Sequence, residues 1–339
     1  MNRIIKQLKN LRKQSYLKLE YQHKYAFVGI GNHSINNLYP IINYLRVPLK
    51  YIVVSSASNA ALVDKNFDGV QGTNDLDKVL QDPEIKGIFI SADPNSHFSL
   101  VKKALAHDKC VFVEKPPCNT ETELQELVAL EKNHKGFCLV GMQKRYSPVL
   151  NALMEVKKEQ IISYNYRFVT GPYPEGDKIL DVFIHPLDLI AYLFGDFKIG
   201  SIQSANKNTY FIHLVHNGFI GSIELSTDYS WKNAEEDLVL NTENGIYAMK
   251  NMDLLTFVKK SKTLFSIPIE KIKKTNTNIE VLFNRNNFNP IQENNQLFTT
   301  GTHDEIKNFI GLCENNKGKN KSALSTMTLT YQLIQQLKK

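Results

Sequence analysis

Long apolar runs and paired cysteines are lacking in this sequence, and both absences exclude classes of protein. No stretch approaches the roughly 20 apolar residues of a membrane-spanning helix, so no membrane span is expected. Basic residues interrupt the N-terminus, which therefore lacks the apolar core of a secretory signal. The four cysteines, Cys110, Cys118, Cys138 and Cys313, form no C-x-x-C pair and indicate reduced thiols. We therefore expect a cytoplasmic protein.

Excess charge is also nearly absent from most of the chain. The net charge is +7, but seven basic side chains and one acidic side chain within residues 1–24 account for +6 of it. Because the remainder is close to neutral, no nucleic-acid partner is expected. Ile4, Ile5, Leu8 and Leu11 fall near one helical face, which predicts a basic amphipathic N-terminal extension over residues 1–24. Its stripe packs on the following domain or a partner subunit, or it binds a membrane surface or a polyanion.

From Tyr25 onward, short apolar runs alternate with amphipathic stretches. A chain of 339 residues is long enough for two domains. Apolar strands separated by helices predict a doubly wound parallel sheet, the Rossmann fold, over residues 25–147. The predicted strands are Tyr25–Ile30, Tyr51–Ser55, Gly87–Ser91, Cys110–Glu114 and Phe137–Gly141.

The pattern changes after about residue 157, and residues 148–339 are predicted to form an α+β domain. One predicted helix, Ile179–Phe194, is followed by strand-like runs with no helices between them, which indicates a largely antiparallel sheet. Two helices, near Asp304–Glu314 and Ser325–Leu337, complete the domain, and the last can pack back on the Rossmann domain. The asparagine-rich stretch Thr275–Gln296 predicts an irregular loop.

A glycine-containing turn follows the first predicted strand. Gly29 allows the tight turn, and Gly31 lets the backbone approach a pyrophosphate at a helix N-terminus. Ser34 stands where the fingerprint has its third glycine, a departure expected to loosen the packing of helix on strand. The turn predicts a dinucleotide site formed by Gly29, Ile30, Gly31, Asn32, His33 and Ser34.

The second predicted strand ends at Ser55 and Ser56, where NAD enzymes usually carry an acid that binds the ribose 2′-hydroxyl. Asp64 is the next acidic residue along the chain. Without a carboxylate, a 2′-phosphate is not repelled and serine hydroxyls can donate to it, which favours NADP over NAD. The alternative is that both serines are turn residues.

Three further segments carry candidate chemistry. Asp93–His97 follows the strand Gly87–Ser91, and Glu114-Lys115-Pro116 ends the next strand, at the edge where open α/β sheets bind ligands. Asp181, His185 and Asp188 have the spacing of one helix face. An imidazole with a pKa of about 6.5 suits general-base catalysis at neutral pH, and an ammonium stabilises negative charge on oxygen. The aligned triplet could also ligate a metal, but a nearby lysine opposes a cation, so no metal is predicted.

Together with Gly141-Met142-Gln143-Lys144-Arg145-Tyr146-Ser147-Pro148, these segments resemble the glucose–fructose oxidoreductase / inositol dehydrogenase (Gfo/Idh/MocA) family. The resemblance covers residues 25 to 200 and continues more diffusely beyond them. It implies a Rossmann domain joined to an open-faced sheet that forms homodimers or homotetramers. It also implies hydride transfer between NAD(P) and a hydroxyl-bearing carbon of a sugar or cyclitol.

The resemblance also implies roles for single residues. Lys115 and His185 look like the catalytic residues, and Asp181 looks like a substrate-positioning carboxylate. Arg145 resembles a contact between cofactor and substrate. The remaining residues expected at the cofactor are Ser55, Ser56, Asp93, Pro94, Asn95, His97, Glu114, Lys115 and Gln143. Arg167 and Tyr173, near the expected domain junction, are candidate substrate contacts.

The leading prediction is an NAD(P)-dependent dehydrogenase acting on a secondary alcohol of a sugar, amino sugar, nucleotide sugar or cyclitol. One alternative is an NAD-assisted glycosidase, in which transient oxidation at one carbon permits elimination of the glycosidic substituent. Another is a non-catalytic protein that senses NAD(P) or sugars. The presence of both Lys115 and His185 argues against the last hypothesis.

Overall fold

The computed structural model describes residues 2–17, 21–273, 278–285, 295–315 and 319–339. Two units can be distinguished in it. The first comprises Met1–Val113, Leu130–Cys138 and Ile306–Asn320, and the second comprises Glu114–Ala129, Leu139–Glu305 and Lys321–Lys339. The proposed domain boundary at 147/148 stays a prediction.

A six-stranded parallel sheet forms the Rossmann part of the chain. Its strands are β1 (Lys24–Val28), β2 (Leu49–Val53), β3 (Gln71–Thr73), β4 (Ile85–Ile90), β5 (Cys110–Val113) and β6 (Cys138–Val140). The helices of this part are α1 (Asn2–Leu17), α2 (Tyr39–Tyr44), α3 (Ala57–Asn66), α4 (Leu76–Gln81), α5 (Pro94–Ala106) and α6 (Glu121–Lys132). The spatial order β3-β2-β1-β4-β5-β6 is the doubly wound order of dinucleotide-binding sheets, so the predicted fold is confirmed.

The central strands are buried because their residues are apolar on both faces. All four residues of β5 are buried, as are five of the six in β4. Phe89 packs its ring 5.7 Å from that of Phe112 and 5.0 Å from that of Phe309. Such runs are typical of parallel sheets that are covered on both sides.

Two elements of this part were not predicted, α3 and β3. Only Ala60 and Val63 of α3 are buried, so the helix has a narrow apolar stripe. Strand β3 has three residues, of which Thr73 is buried. Elements this short or this polar leave little hydrophobic periodicity to detect.

An eight-stranded, mostly antiparallel sheet forms the core of the second unit. The strands after β6 are β7 (Ile161–Val169), β8 (Lys198–Asn206), β9 (Thr209–Val215), β10 (Ile220–Ser226), β11 (Glu235–Thr242), β12 (Gly245–Lys250), β13 (Leu254–Lys259), β14 (Thr263–Leu264), β15 (Ile267–Pro268) and β16 (Ile279–Asn284). The sheet order is β16-β13-β12-β11-β7-β10-β9-β8, and β14 pairs with β15 separately. Only the β7–β10 pair of the large sheet is described as parallel. The predicted largely antiparallel sheet is confirmed.

The remaining helices are α7 (Pro148–Leu153), α8 (Lys178–Asp181), α9 (Ile184–Phe194), α10 (Gln296–Thr299), α11 (Thr302–Asn315) and α12 (Thr328–Leu337). The single helix predicted over Ile179–Phe194 is wrong, because the chain interrupts it after Asp181. Asp177 caps the N-terminus of α8, and the Phe183 N–H bonds back to the Lys178 carbonyl at 2.8 Å, outside the α-helical i→i−4 register. Asp181 and His185 therefore lie on two successive helices.

Strand β7 was not predicted, although it lies at the centre of the large sheet. Its buried residues, which include Tyr164 and Tyr166, alternate with polar residues such as Asn165 and Arg167. The predicted loop Thr275–Gln296 is also corrected in part, since β16 pairs with β13. Residues 275–277 and 286–294 of that stretch lie outside the described residues.

Helix α1 confirms the expected helical N-terminal segment, but its apolar stripe is exposed. Among the described residues, nothing of the following domain covers this stripe, and packing on a partner subunit or binding to a membrane surface or a polyanion stay predictions. Within the described ranges, no helix has both the length and the apolar character needed to cross a bilayer.

Candidate active site and dinucleotide-binding cavity

A cavity of about 940 Å³ opens at the carboxyl ends of the parallel strands in the first unit. Its lining includes eight of the predicted cofactor residues: Gly29, Ile30, Gly31, Asn32, His33, Ser34, Ser55 and Asp93. Ligands of open α/β sheets bind at this edge. Sequence analysis missed Asn59, Asn66, Phe67, Ser96 and Leu100 in the lining, because they come from helices and loops brought there by the fold.

Gly29 and Gly31 differ in what surrounds them. Gly29 has a φ of +93°, and a Cβ on it would lie 2.3 Å from the Ser91 carbonyl oxygen. Only glycine fits there without moving the backbone of the neighbouring strand. A Cβ on Gly31 would meet no atom within 4 Å. The space beside Gly31 is therefore open toward the cavity, as a backbone that receives a pyrophosphate requires.

Ser34 ties the glycine turn to the end of β4. Its side chain is buried, and its Oγ lies 2.9 Å from Ser91 Oγ and accepts from the Gly31 N–H at 3.3 Å. The expectation that serine loosens the packing at this position is therefore corrected. A hydroxyl fits because it bonds to both neighbours instead of leaving a buried polar group unpaired.

The end of β2 presents neutral polar groups to the cavity. Ser55 and Asn59 line it, whereas the Ser56 Oγ accepts from the Asn59 N–H at 3.2 Å and caps α3. Ser56 thus acts as the turn and capping residue that the alternative interpretation described. The cavity lining includes Asp93 as an acid, and among the described residues that form it there is no Lys or Arg.

The segment after β4 has structural roles that hold Asp93 in place. Asp93 caps α5 by accepting from the Asn95 N–H at 2.9 Å, and Pro94 occupies the first turn of the helix. His97 is buried, with Nε2 3.2 Å from the Ala92 carbonyl oxygen. Pro94 and Asn95 are exposed, His97 is buried, and none of the three is among the residues that line this cavity.

Lys115, in the second unit, has a half-buried side chain whose ammonium is held by the backbone. Its Nζ donates to the Asp181 carbonyl oxygen at 2.6 Å. Burial lowers the pKa of Lys115, while the negative charges of Glu114 and Asp181 oppose that shift. The Lys115–Pro116 peptide bond is cis. Since an ammonium has three donors and the Asp181 carbonyl takes one, the group can also donate to a substrate oxygen.

The carboxyl group of Asp181 meets the phenol of Tyr173. Burial raises the pKa of Asp181, and the hydrogen bond from Tyr173 and the charge of Lys115 oppose the rise. A Cβ on Gly176 would lie 2.5 Å from Asp181 Oδ2, so glycine is what lets the loop pass this close to the carboxylate. The structure thus brings together two predicted substrate residues, Asp181 and Tyr173. Lys115 contacts the backbone carbonyl of Asp181 and not its carboxyl group.

His185 lies in the first turn of α9, four residues after Asp181, which ends α8. Its side chain is half-buried, while the adjacent Ile184 and Pro186 are buried. The packing of α9 fixes the backbone of His185, and the ring keeps access to solvent.

Arg145 is the clearest correction to the predicted site. Its side chain is 0% exposed, its Nε donates to Asp188 Oδ2 at 2.8 Å, and a second nitrogen bonds to Asp188 Oδ1. Nη1 donates to the Lys321 carbonyl and to Thr326 Oγ1. Because these partners and its burial engage the guanidinium, we assign Arg145 to the core and remove it from the substrate contacts. Asp188 is likewise engaged, so it does not complete a metal site with Asp181 and His185.

Three predicted site residues remain, Arg167, Gln143 and Glu114, and only Glu114 is next to Lys115. Arg167 is on β7 and pairs with Glu224 and Glu235, so it belongs to the sheet surface. Gln143 is half-buried in a short 3-10 turn over Gln143–Tyr146. Glu114 Oε2 accepts from the Lys115 backbone N–H at 3.3 Å, which places this carboxylate next to the lysine.

The parallel sheet, the glycine turn and the cavity define the class of protein as one with an NAD(P)-type dinucleotide-binding domain. Residues 23–142 match the model GFO_IDH_MocA, described as "Oxidoreductase family, NAD-binding Rossmann fold". This match confirms the resemblance inferred from the motifs over residues 23–142.

Curated relatives share part of the chain. An uncharacterized oxidoreductase, YhhX, of Escherichia coli (strain K12) is 31% identical over 142 residues, which cover 38% of this chain and 41% of the relative. An inositol 2-dehydrogenase/D-chiro-inositol 3-dehydrogenase of Lacticaseibacillus casei is 28% identical over 184 residues, which cover 52% of this chain and 53% of the relative. The chain thus spans about half the length of these relatives or less.

Similarity of fold extends over nearly the whole chain. The crystal structure of a dehydrogenase from Chromobacterium violaceum superposes with a TM-score of 0.76 at 18% sequence identity and covers 94% of this chain and 95% of that one. At this identity the likeness supports the fold, and activity has to be argued from the residues.

Proposed function

We propose that this protein is an NAD(P)-dependent dehydrogenase that oxidises a secondary alcohol of a sugar, amino sugar, nucleotide sugar or cyclitol, or reduces the corresponding ketone. The observation that carries the proposal is the ammonium of Lys115, held at the carbonyl of Asp181, which ends α8 four residues before His185 in α9. Relatives that are named inositol 2-dehydrogenases support a polyhydroxylated substrate.

The cofactor is proposed to bind at the glycine turn of the first unit. The open space beside Gly31, the tight turn at Gly29 and the cavity of about 940 Å³ fit a dinucleotide. Ser55 and Asn59 would face the adenosine ribose, because they follow the second strand, where this contact is made in dinucleotide folds. Neither residue repels a 2′-phosphate, which supports the weak preference for NADP.

The chemistry assigned to the second unit is proton removal and charge stabilisation. A bound nicotinamide would supply the acceptor for the hydride of the carbinol carbon. His185 takes the hydroxyl proton as general base, and Lys115 donates a hydrogen bond to the oxygen on which negative charge develops. Asp181 and Tyr173 position the neighbouring hydroxyl groups of the substrate. Glu114 maintains the charged form of Lys115 against the cost of burial.

The chain itself brings Lys115 to the correct edge of the sheet. Val28, Ile90 and Val113 lie in one row across the parallel strands β1, β4 and β5. Lys115 follows Val113 by two residues, and Gly29 follows Val28 directly. Both residues thus come after the carboxyl end of a parallel strand, where open α/β sheets bind ligands, which supports the proposal.

The large sheet is proposed to mediate a homodimer or homotetramer. Apolar side chains on alternate positions of its strands are exposed: Phe211, Val215, Ile220, Val239 and Ile246. One face of an antiparallel sheet can remain in water, but exposed aliphatic and aromatic residues on neighbouring strands favour a partner there.

A dehydrogenase screen tests the proposal. The protein is incubated with NAD or NADP and a panel of sugars, cyclitols and nucleotide sugars, and formation of the reduced cofactor is followed by absorbance. We expect Lys115→Met and His185→Ala each to lower kcat by about 10²- to 10⁴-fold with little change in cofactor affinity.

His213→Ala and Lys103→Ala are the matched controls, since both residues are exposed and lie outside the proposed site. A substrate turned over by wild type and undiminished in the Lys115 and His185 variants would contradict the assigned roles. Cleavage of a glycoside without net cofactor reduction would favour the assisted-glycosidase mechanism instead.

A further inference from the structure

Helix α1 exposes large aliphatic side chains in a continuous stripe. Ile4 is 64% exposed, Leu8 54% and Leu11 63%, and Ile5 beside them is also exposed. At 100° per residue these four side chains occupy about a third of the helix circumference. Helices of soluble domains normally bury such a stripe, so its exposure here indicates a surface that receives something else.

The rest of the helix surface is basic. Arg3, Lys6 and Lys9 are exposed, Arg12 and Lys13 follow in the sequence, and residues 2–17 contain no acidic residue. On the helical wheel four of the five basic positions, Arg3, Lys6, Lys9 and Lys13, lie beside and opposite the apolar stripe, and Arg12 lies at its edge between Leu8 and Ile5. A helix with one aliphatic face and one cationic face has the amphipathic form of interfacial helices.

The charge distribution decides between possible occupants of the stripe. The chain outside residues 1–24 carries a net charge of only +1, so a second copy offers no excess negative charge and would add a second cationic helix. A nucleic acid would neutralise the lysines and arginines, but its phosphate backbone would not bury the four exposed aliphatic side chains. An anionic lipid surface can bury the aliphatic face among its headgroups and acyl chains and attract the cationic face by its negative charge.

We propose that α1 docks this protein on an anionic phospholipid bilayer, lying in the plane of the interface with the stripe of Ile4, Ile5, Leu8 and Leu11 inserted among the headgroups. The chain after the helix is bonded to the Rossmann unit. The Tyr21 hydroxyl donates to the Leu45 carbonyl at 2.5 Å, and the Gln22 N–H donates to Glu314 Oε2 at 2.7 Å. Docking of α1 therefore holds the dinucleotide-binding unit at the membrane surface.

Sedimentation of the full chain with vesicles tests the proposal. Wild type is expected to sediment with vesicles of phosphatidylserine and phosphatidylcholine, to remain in solution with pure phosphatidylcholine, and to dissociate at about 1 M salt. Lys6→Gln/Lys9→Gln is expected to weaken binding by about 25-fold, since each charge near an anionic leaflet contributes about fivefold. Lys103→Gln/Lys132→Gln, an equal loss of charge in exposed turns of α5 and α6, is expected to change binding less than about twofold.

The apolar face is tested with Ile4→Gln/Leu8→Gln, which is expected to lower vesicle binding at least about tenfold and to leave the mass in solution unchanged by light scattering. Ile4→Leu/Leu8→Met is the conservative control and should bind as wild type does. Three results would overturn the proposal: equal binding to both vesicle types, dissociation of an oligomer by Ile4→Gln/Leu8→Gln, or binding to duplex DNA as tight as to anionic vesicles.

Discussion

The Nζ of Lys115 lies 2.6 Å from the backbone carbonyl oxygen of Asp181, while the carboxyl group of Asp181 accepts a hydrogen bond from the phenol of Tyr173. Asp181 therefore acts on two neighbours with two different groups. Its carbonyl fixes the position of the ammonium, and its negative charge supports the charged form of Lys115. This arrangement links the protonation of the proposed catalytic lysine to the charge of a residue in the proposed substrate site.

The pH dependence of turnover should report this link. Burial lowers the pKa of Lys115 below its ordinary value, so activity that needs the ammonium should fall as the pH rises through that lowered pKa. Asp181→Asn removes a charge that opposes the shift, and the alkaline limb of kcat should move to still lower pH. Glu175→Gln, an exposed acid in the same loop, is the control and should leave the limb in place. An alkaline limb unmoved by Asp181→Asn would contradict the link.

Alanine substitutions at the two glycines of the turn should have different effects: one lowers stability and the other weakens cofactor binding. Gly29→Ala places a Cβ 2.3 Å from Ser91 O at a φ of +93°, and we expect it to lower the free energy of unfolding by about 1–3 kcal/mol or more. Gly31→Ala meets no atom within 4 Å and should change stability by less than about 1 kcal/mol. Its Cβ fills space proposed for the pyrophosphate, so cofactor Kd should rise at least about tenfold. Denaturant titration and fluorescence titration with NADPH measure the two quantities.

A carboxylate at Ser55 should change the choice of cofactor. Ser55 lines the cavity, and Ser55→Asp would place a negative charge where a 2′-phosphate is proposed to lie. We expect the Kd of NADP to rise by about tenfold or more and that of NAD to stay within about threefold. Ser58→Asp, an exposed neighbour in the first turn of α3, is the matched control. An equal loss of both cofactors in Ser55→Asp would mean that this residue does not face the 2′ position.

The buried pair Arg145–Asp188 should matter for stability more than for substrate affinity. Arg145→Met leaves the buried Asp188 carboxylate without its partner, which costs about 3–5 kcal/mol. Arg145→Met/Asp188→Leu removes both charges and should recover part of that loss. Arg167→Met, which breaks a half-exposed surface pair, should cost about 1 kcal/mol or less. Denaturant unfolding gives the three values, and an Arg145→Met protein as stable as wild type would contradict the core assignment.

Glu305 should make stability depend on pH. The side chain is completely buried, and burial together with the charge of Glu114 raises its pKa well above its ordinary value. The folded state then holds a proton that the unfolded state releases, so stability falls as the pH rises from the ordinary glutamate pKa toward the raised one. Glu305→Gln should raise Tm near neutral pH, with the gain shrinking below about pH 4.5. A Tm difference that stays constant across this range would contradict the raised pKa of Glu305 in the folded protein.

The elements predicted correctly from the sequence are those with a clear local pattern of apolar residues. Strands β1, β4 and β5 were predicted because short, continuous apolar runs separated by helical stretches have few other interpretations. Strand β7 was missed because Asn165 and Arg167 interrupt its apolar pattern, although its neighbours in the sheet bury Tyr164 and Tyr166. The helix predicted through Asp181 and His185 failed because spacing alone does not reveal a break in the hydrogen-bond ladder at Phe183.

The sequence by itself determined the doubly wound sheet, the glycine turn and the resemblance that the match over residues 23–142 confirms, since these depend on residue order along single elements. Only the tertiary structure decided what the polar side chains do. Arg145 pairs with an aspartate 43 residues away, and Ser34 bonds to Ser91, which follows β4, and neither partner is adjacent in the sequence. The energy of a buried charge or hydroxyl depends on such distant partners, so its role is fixed by the fold rather than by the local pattern.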